Sequence, residues 1–466
     1  MAEQTIAAIA TALSNSGIAI IRVSGENSIS IVDRVFESKS GKKLSDVDSH
    51  TLHYGHIIDN EENVIDEVLV SVMKAPHSYT GEDVVEVNTH GGIVITKKVL
   101  EIILSAGAVM AEPGEFSRRA FLNGKMDLSQ AEAVMDIIKA ENDTAAKNGI
   151  LQLRGDVSKE ITSIRESILN DVSHIEAAND DPEHIIYDVF EYGLDKRVDD
   201  MFHRLEILIQ SFERGRIVRN GLNTVILGKP NAGKSSLMNK MLGIDRAIVT
   251  DIAGTTRDSL EEGLNLGELT LKLIDTAGIR ETEDYVESLG VNKSKELATD
   301  ADLILYVVDS SIPLDDSDKE IIGIASGKKI LVIYNKTDLK EAVGIDTLCK
   351  LLQDSGVPES DYVILPVSLK ESPNIKPITD SIKNMYNLGS IRESNEVMLT
   401  NIRHKEAISK AMDSLLNVKS GIENTVPEDM LTIDLMDAYT SLGYVIGESV
   451  DEDLVDAVFS RFCLGK

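Results

Sequence analysis

Gly228-Lys-Pro-Asn-Ala-Gly233-Lys234-Ser235 is the stretch from which the rest of the chain can be read. It follows the apolar run Thr224–Leu227 and precedes a helix-like Ser236–Leu242. That strand, loop and helix order is the context in which G-x-x-x-x-G-K-[ST] cradles phosphate. The glycines let backbone N–H groups turn inward around phosphates, Lys234 supplies a cation to the outer oxygens, and Ser235 offers a hydroxyl to Mg²⁺. Asn231, Ala232, Gly233 and Ser236 belong to the same nucleotide-binding loop.

Working outward, further short stretches fall at the ends of apolar runs. Asp275-Thr276-Ala277-Gly278 closes Leu271–Ile274, so Asp275 can hold Mg²⁺ through water while the Gly278 amide meets a γ-phosphate. Asn335-Lys336-Thr-Asp338 follows Ile330–Tyr334. A carboxylate there can accept both the N1–H and the 2-amino hydrogens of guanine; adenine presents neither donor, so GTP is expected over ATP. Ser368-Leu-Lys370, after Val363–Pro366, completes the base pocket. Apolar strands (also Leu303–Val308) alternate with helical segments over residues 222–384, which predicts a doubly wound α/β sheet.

On either side the pattern is helical. Val157, Ile161, Ile164, Ile168, Val172 and Ile175 form one stripe, and Leu194, Val198, Met201, Leu205, Leu208 and Phe212 a second. These two helices are expected to pair through those faces, and Ser129-x-x-Glu132 to cap the helix before them. Helix returns with Ile408, Met412, Leu415, Leu431, Leu435, Leu442 and Ile446. The α/β segment therefore reads as an insertion in an all-α domain. Residues 1–123 carry short strands (Gly17–Val23, Glu67–Met73, Val84–Asn88) and one helix at Val94–Leu104, a compact α+β domain. The expected division is 1–123, 124–221, 222–384 and 385–466, a multidomain chain.

The chain of 466 residues carries 47 basic and 78 acidic side chains, a net charge of −31, which repels nucleic-acid phosphates over most of the surface. RNA binding therefore needs a local patch or a partner. Two cysteines without C-x-x-C spacing fit a reducing compartment, and cytoplasm is expected. No basic leader and no apolar run near a membrane span is visible, so neither secretion nor membrane insertion is expected. His50, His53 and His56 read as an extended segment rather than a zinc site, and Arg214–Arg219 as a helix C-terminal charge complement. Cys463-Leu-Gly-Lys466 is a poor prenylation box.

The nucleotide motifs resemble the Ras-like translation-factor superfamily of GTPases, with Ile279 where Ras-like enzymes carry the water-orienting glutamine. Ala247-Ile-Val-Thr250-Asp251-Ile252-Ala253-Gly254-Thr255-Thr256-Arg-Asp258 is similar to the effector loop of the TrmE–Era–EngA group. Ile18–Gly25, Ser78-Tyr-Thr-Gly-Glu-Asp83, Pro113–Lys125 and the terminal Cys-x-Gly-Lys resemble the tRNA uridine-modification GTPases of the MnmE (TrmE) family. That resemblance covers the entire chain. It implies a homodimer joined through the N-terminal domains and a flavoprotein partner, MnmG (GidA), that brings FAD and NADH. It implies a tRNA substrate that receives an aminomethyl or carboxymethylaminomethyl group at C5 of its wobble uridine.

By the same resemblance, Asn231, Thr250, Ile252 and Thr255 match ligands of a K⁺ ion that replaces an arginine finger, and Ser235 and Thr256 match the Mg²⁺ ligands. Glu287 matches the catalytic glutamate beside the catalytic Lys234, and closure of two G domains would order the K⁺ loop. Arg22, Glu86, Lys125 and Lys466 match positions around a 5-formyl- or methylene-tetrahydrofolate, and Cys463 a cysteine needed for modification. Without the resemblance, Arg22, Glu86 and Lys125 read as ordinary strand-end or surface charges. The rivals are an Era-type ribosome-assembly switch and a dynamin-type membrane remodeller. The first should carry a basic RNA module, whereas residues 380–466 hold 8 basic and 15 acidic side chains, and the second a lipid-binding segment that is not visible.

Overall fold

The computed structural model describes residues 4–180, 193–242, 262–267, 269–274, 298–371, 374–388, 397–448 and 450–466. In chain order they form β1 (Ile6–Ile9), β2 (Ala19–Ser24), α1 (Ser28–Asp33), β3 (Phe36–Ser38), β4 (Thr51–Ile58), β5 (Val64–Met73), β6 (Val84–Thr89), α2 (Ile93–Ser105), β7 (Val109–Met110), α3 (Glu115–Leu122), α4 (Leu128–Ile138), α5 (Asp143–Leu153), α6 (Asp156–Asp180) and α7 (Leu194–Asn220). There follow β8 (Leu222–Leu227), α8 (Lys234–Leu242), β9 (Glu262–Asn265), β10 (Thr270–Leu273), β11 (Leu303–Asp309), α9 (Asp316–Ala325), β12 (Lys329–Asn335), α10 (Ile345–Asp354), β13 (Tyr362–Pro366) and α11 (Lys376–Met385). The chain ends with α12 (Ile402–Glu423), α13 (Glu428–Ile446) and α14 (Glu452–Phe459).

Contacts divide the chain into two compact units. The first comprises Met1–Met135, Gln152–Asp199 and Lys410–Lys466. Its sheet runs β3-β4-β5-β6-β2-β1-β7, and Ile21, Val23, Val70, Val72, Val85 and Val87 bury one face beneath Val99 and Ile103 of α2. β1, β3, β4 and β7 go beyond the strands expected. β4 hides its alternation behind Thr51, His53 and His56, and β1 and β7 are too short to show a period.

The expected stripe of α6 is buried, and within this unit it packs against α13. Arg165 Nε donates to Tyr439 O at 3.2 Å, with its guanidinium 4.0 Å from the Tyr439 ring, while α7 meets α6 at the Arg197–Asp171 ion pair. Sequence period identifies a buried face; it does not name the face it meets. Residues before and after the α/β segment thus share one unit.

The cap of α4 also differs. Gln130 N donates to Asp127 Oδ1 and Asp127 N to Gln130 Oε1, each at 2.9 Å, so the reciprocal box is Asp127/Gln130 rather than Ser129/Glu132. Ser129 lies inside the first turn, where its hydroxyl bonds Asp127 Oδ1.

The second unit, Asp136–Leu151 and Asp200–Ser409, holds the sheet β13-β12-β11-β8-β10-β9. Every pair is parallel except β9 with β10. β11 is buried at every residue, and β12 at all but its first, because helices cover both faces, which is why both strands read as unbroken apolar runs. A parallel sheet puts all loops that leave the C-terminal strand ends on one rim, and Gly228–Ser235, Asn335–Asp338 and Ser368 lie there.

Candidate nucleotide site and a second cluster at the C-terminal tail

The phosphate loop leaves β8 at Gly228 and enters α8 at Lys234. Gly228 (φ +150°), Asn231 (φ +60°) and Gly233 (φ +114°) adopt positive φ. A Cβ on Gly228 would lie 2.4 Å from Val307 O, and one on Gly233 2.3 Å from Asn335 Nδ2. The loop therefore lies directly on β11 and on the base-binding loop, and only glycine permits that approach. Lys234 Nζ donates to Gly228 O at 2.7 Å and Lys229 O at 2.8 Å. Burial holds this ammonium below the ordinary lysine value, and no carboxylate among the described residues pairs with it. A partly desolvated cation held only by neutral carbonyls, at a helix N-terminus, favours an anion. Ser235 and Ser236 are exposed beside it.

At the other end of the site, Asn335 is buried and ties loops together: its Nδ2 donates to Ala232 O at 2.8 Å and its Oδ1 accepts from Leu369 N at 3.0 Å. Parallel pairing of β12 with β13 sets Tyr334 against Pro366 and so brings Asn335-Lys336-Thr337-Asp338 beside Ser368. Asp338 Oδ1 accepts from Ser368 Oγ at 2.7 Å, and that bond holds the exposed Asp338 carboxyl below the usual carboxylate range. Lys336 (φ +64°) reaches Asp309 Oδ2 at 2.5 Å. A charged carboxylate open to solvent, oriented by one hydroxyl, can accept the two donors of a guanine edge.

Thr250, Asp251, Ile252, Ala253, Gly254, Thr255, Thr256, Asp275, Thr276, Ala277, Gly278, Ile279 and Glu287 lie outside the described residues. Among the described residues no group of His, Cys, Asp or Glu is arranged to hold a metal. His50 and His53 bond Ser49 and Thr51 separately, and His56 Nε2 stands 3.8 Å from Glu67. Arg216 pairs with Asp302 and Glu213, and Arg219 with Asp136, so these two arginines of the basic run are paired within their own unit.

In the first unit, β2 and β6 set Arg22 opposite Glu86. Arg22 Nε and Nη2 each lie 2.9 Å from Glu86 Oε1, and Nη1 donates to Gly465 O at 3.2 Å. The guanidinium stands 5.2 Å from the Tyr79 ring and 5.7 Å from Phe116, and Lys466 Nζ lies 5.9 Å from Tyr79. Burial, with Arg22 adding repulsion, keeps the Lys466 ammonium below its ordinary value. Gly465 (φ +88°) fits because a Cβ there would meet Ile9 O at 2.4 Å. Lys125 Nζ donates to Pro76 O at 2.9 Å, against the segment that supplies Tyr79. Arg22, Glu86 and Lys466 are thus gathered, while Cys463 is exposed.

Sequence reasoning assigned no role to Tyr79, Glu82 or Arg119, although all sit within the quoted motifs. Arg119 is buried between Glu82 Oε1 (3.1 Å) and Glu115 Oε1 (2.8 Å) and also donates to Gln4 O. A charged residue in a helix whose neighbours are Phe116 and Ala120 was the available signal.

A parallel sheet with a phosphate loop, a lysine that no carboxylate among the described residues neutralises and a guanine-type carboxylate on one rim defines a P-loop GTPase. The family model for the MnmE helical domain matches residues 128–463, and that for the GTP-binding protein TrmE N-terminus matches residues 5–125. The chain is 51% identical over 467 residues to the tRNA modification GTPase MnmE of Lachnoclostridium phytofermentans, covering 100% of both chains. It is 45% identical to that of Clostridioides difficile, covering 100% of this chain and 99% of the relative. The translation elongation factor SelB of Methanococcus maripaludis, solved with the GTP analogue GppNHp, gives a TM-score of 0.25 at 19% identity, covering 36% of this chain and 34% of that one; a likeness so partial does not bear on function. The chain belongs to the MnmE (TrmE) family.

Proposed function

We propose that this chain hydrolyses GTP in the service of tRNA modification. The observation that carries the reading is the span from Lys234, whose partners among the described residues are neutral carbonyls, to Asp338, whose carboxylate is oriented toward solvent by Ser368, with Asn335 joining the two ends. Lys234 and the loop amides draw charge from the β/γ-phosphates as the bond to the leaving oxygen breaks. Asp338 selects guanine. Glu287 orients the attacking water, since Ile279 cannot.

Ser235, exposed at the start of α8, is a hard oxygen donor suited to Mg²⁺ with Thr256; Asn231 beside it suits K⁺ with Thr250, Ile252 and Thr255. When bound, the two cations supply positive charge where the transition state accumulates negative charge. Arg22, Glu86 and Lys466, with Lys125, offer charged groups, and Tyr79 and Phe116 aromatic surface, for an anionic folate with a planar ring; 5-formyl- or methylene-tetrahydrofolate is the proposed ligand. Cys463 beside them is proposed to act in the modification.

The proposed assembly is a cytoplasmic homodimer with divisions at 1–123, 124–221, 222–384 and 385–466. It works with the FAD- and NADH-using flavoprotein MnmG (GidA) to place an aminomethyl or carboxymethylaminomethyl group on C5 of the wobble uridine of tRNA. No helix among the described residues is long and apolar enough to cross a membrane, and no membrane partner is proposed.

The test is GTP turnover in potassium against sodium at matched ionic strength, with Glu287→Ala beside the native protein. Strong potassium stimulation that disappears in the variant is expected. Equal slow rates in both salts would overturn the potassium mechanism and return the Era-type switch to consideration.

A further inference from the structure

Lys229 occupies a position of the phosphate loop at which the motif specifies no side chain, yet its ammonium is tightly engaged. Nζ lies 2.7 Å from Asp318 Oδ2 and 3.1 Å from Asp315 Oδ2, and donates to Pro313 O at 3.4 Å. Burial lowers its proton affinity, but the two carboxylates outweigh that and hold Lys229 above the ordinary lysine value. Asp318 is 1% exposed. Its Oδ1 accepts from Tyr306 Oη at 2.6 Å, and its Oδ2 also accepts from Asp315 N at 2.8 Å, half of the reciprocal cap that starts α9.

Tyr306, likewise 1% exposed, stands in β11 opposite Leu227, the residue immediately before Gly228. One buried carboxylate outside every nucleotide motif therefore joins β11, the start of α9 and the phosphate loop. The main chain of the same Lys229 accepts from Lys234 Nζ at 2.8 Å. Whatever fixes Lys229 thus fixes one of the two carbonyls that hold the phosphate-binding lysine. The other, Gly228 O, belongs to the residue that lies directly against Val307. A phosphate binds more tightly and leaves more slowly when its donors are held in place before it arrives.

We propose that the Asp318–Lys229 pair is a positioning device for the phosphate loop, which sets nucleotide affinity and residence time without touching the nucleotide. The inference rests on the reading of Lys234 as the phosphate ligand. An ordinary structural ion pair would affect unfolding and leave the bound nucleotide's lifetime alone, which separates the two roles.

The experiment measures dissociation of N-methylanthraniloyl-GDP from the full chain by stopped flow, together with KM and kcat for GTP. Lys229→Met and Asp318→Asn should each speed dissociation by about tenfold or more, the loss falling on KM more than on kcat, with Tyr306→Phe giving a smaller change. Lys229→Arg, which restores a cation to the same carboxylates, should return the rate to within about threefold of native.

Unchanged dissociation in Lys229→Met would overturn the inference, whether or not the melting temperature falls. Lys234→Ala is the control for the underlying reading. If it abolishes binding while Lys229→Met does nothing, only the positioning role fails; if native protein and Lys234→Ala bind alike, the nucleotide-site reading fails with it.

Discussion

The nucleotide site and the cluster around Arg22 are built in opposite ways. The first is made of short contiguous stretches on one rim of a parallel sheet, where strand order alone brings Gly228–Ser235, Asn335–Asp338 and Ser368 together. The second draws Arg22 and Glu86 from antiparallel neighbours, Tyr79 from a connecting segment, and Gly465 and Lys466 from the chain's far end. A parallel sheet turns sequence motifs into a site through topology. An antiparallel sheet does so only through register, and a docked tail only through packing.

The largest expected separation of the two comes from Lys234→Ala, which removes the ammonium of the phosphate loop. GTP affinity should fall by about a thousandfold or more in calorimetry, since charge-assisted bonds in a desolvated site are among the strongest available. Tetrahydrofolate binding should be unchanged; a parallel loss there would break the comparison.

Asp338→Asn should cost about a hundredfold in GTP affinity and improve binding of xanthosine nucleotides, whose second ring carbonyl accepts from the new amide. Loss of affinity without any gain for xanthosine would show that Asp338 only supports the loop.

Gly465→Ala should act on the tail alone. The positive φ and the contact with Ile9 O together cost about 1–2 kcal/mol. Carboxypeptidase should then remove Lys466 faster, with weaker folate binding and intact GTP turnover. Arg22→Ala should follow the same pattern, whereas unaltered release of Lys466 would show that the Gly465 contact does not hold the tail.

The smallest effect concerns pH. Ser368 lowers the Asp338 carboxyl below its value in the unfolded chain, so the stabilisation from that bond is complete above the unfolded value and is lost as pH falls through the folded one. GDP affinity should therefore stay level down through the ordinary carboxylate range and drop beneath it. Ser368→Ala should move that drop to higher pH, by well under the effect of Asp338→Asn.

Legibility followed the same divide. β11 and β12 were readable as apolar runs because both faces are covered, and the six-residue stripe of α6 because one face is. β4 was not, since its polar residues conceal the alternation, and α13 was not identifiable as the partner of α6 because a stripe carries no address. The cap of α4 was misplaced by two residues since Asp127, Ser129 and Gln130 all have capping chemistry, and only the geometry distinguishes them.

The sequence by itself determined the phosphate loop, the Asn335–Asp338 stretch with its carboxylate, and their order along an α/β segment, because each acts through backbone and side chains only a few residues apart. Only the tertiary structure decided that Asn335 joins the loops, that Asp318 reaches Lys229, and that Gly465 lies against Ile9 beside Arg22. Those contacts join segments whose separation in sequence carries no trace of their meeting. Strand order, register and close packing create them, and none of these is written in the composition of either segment.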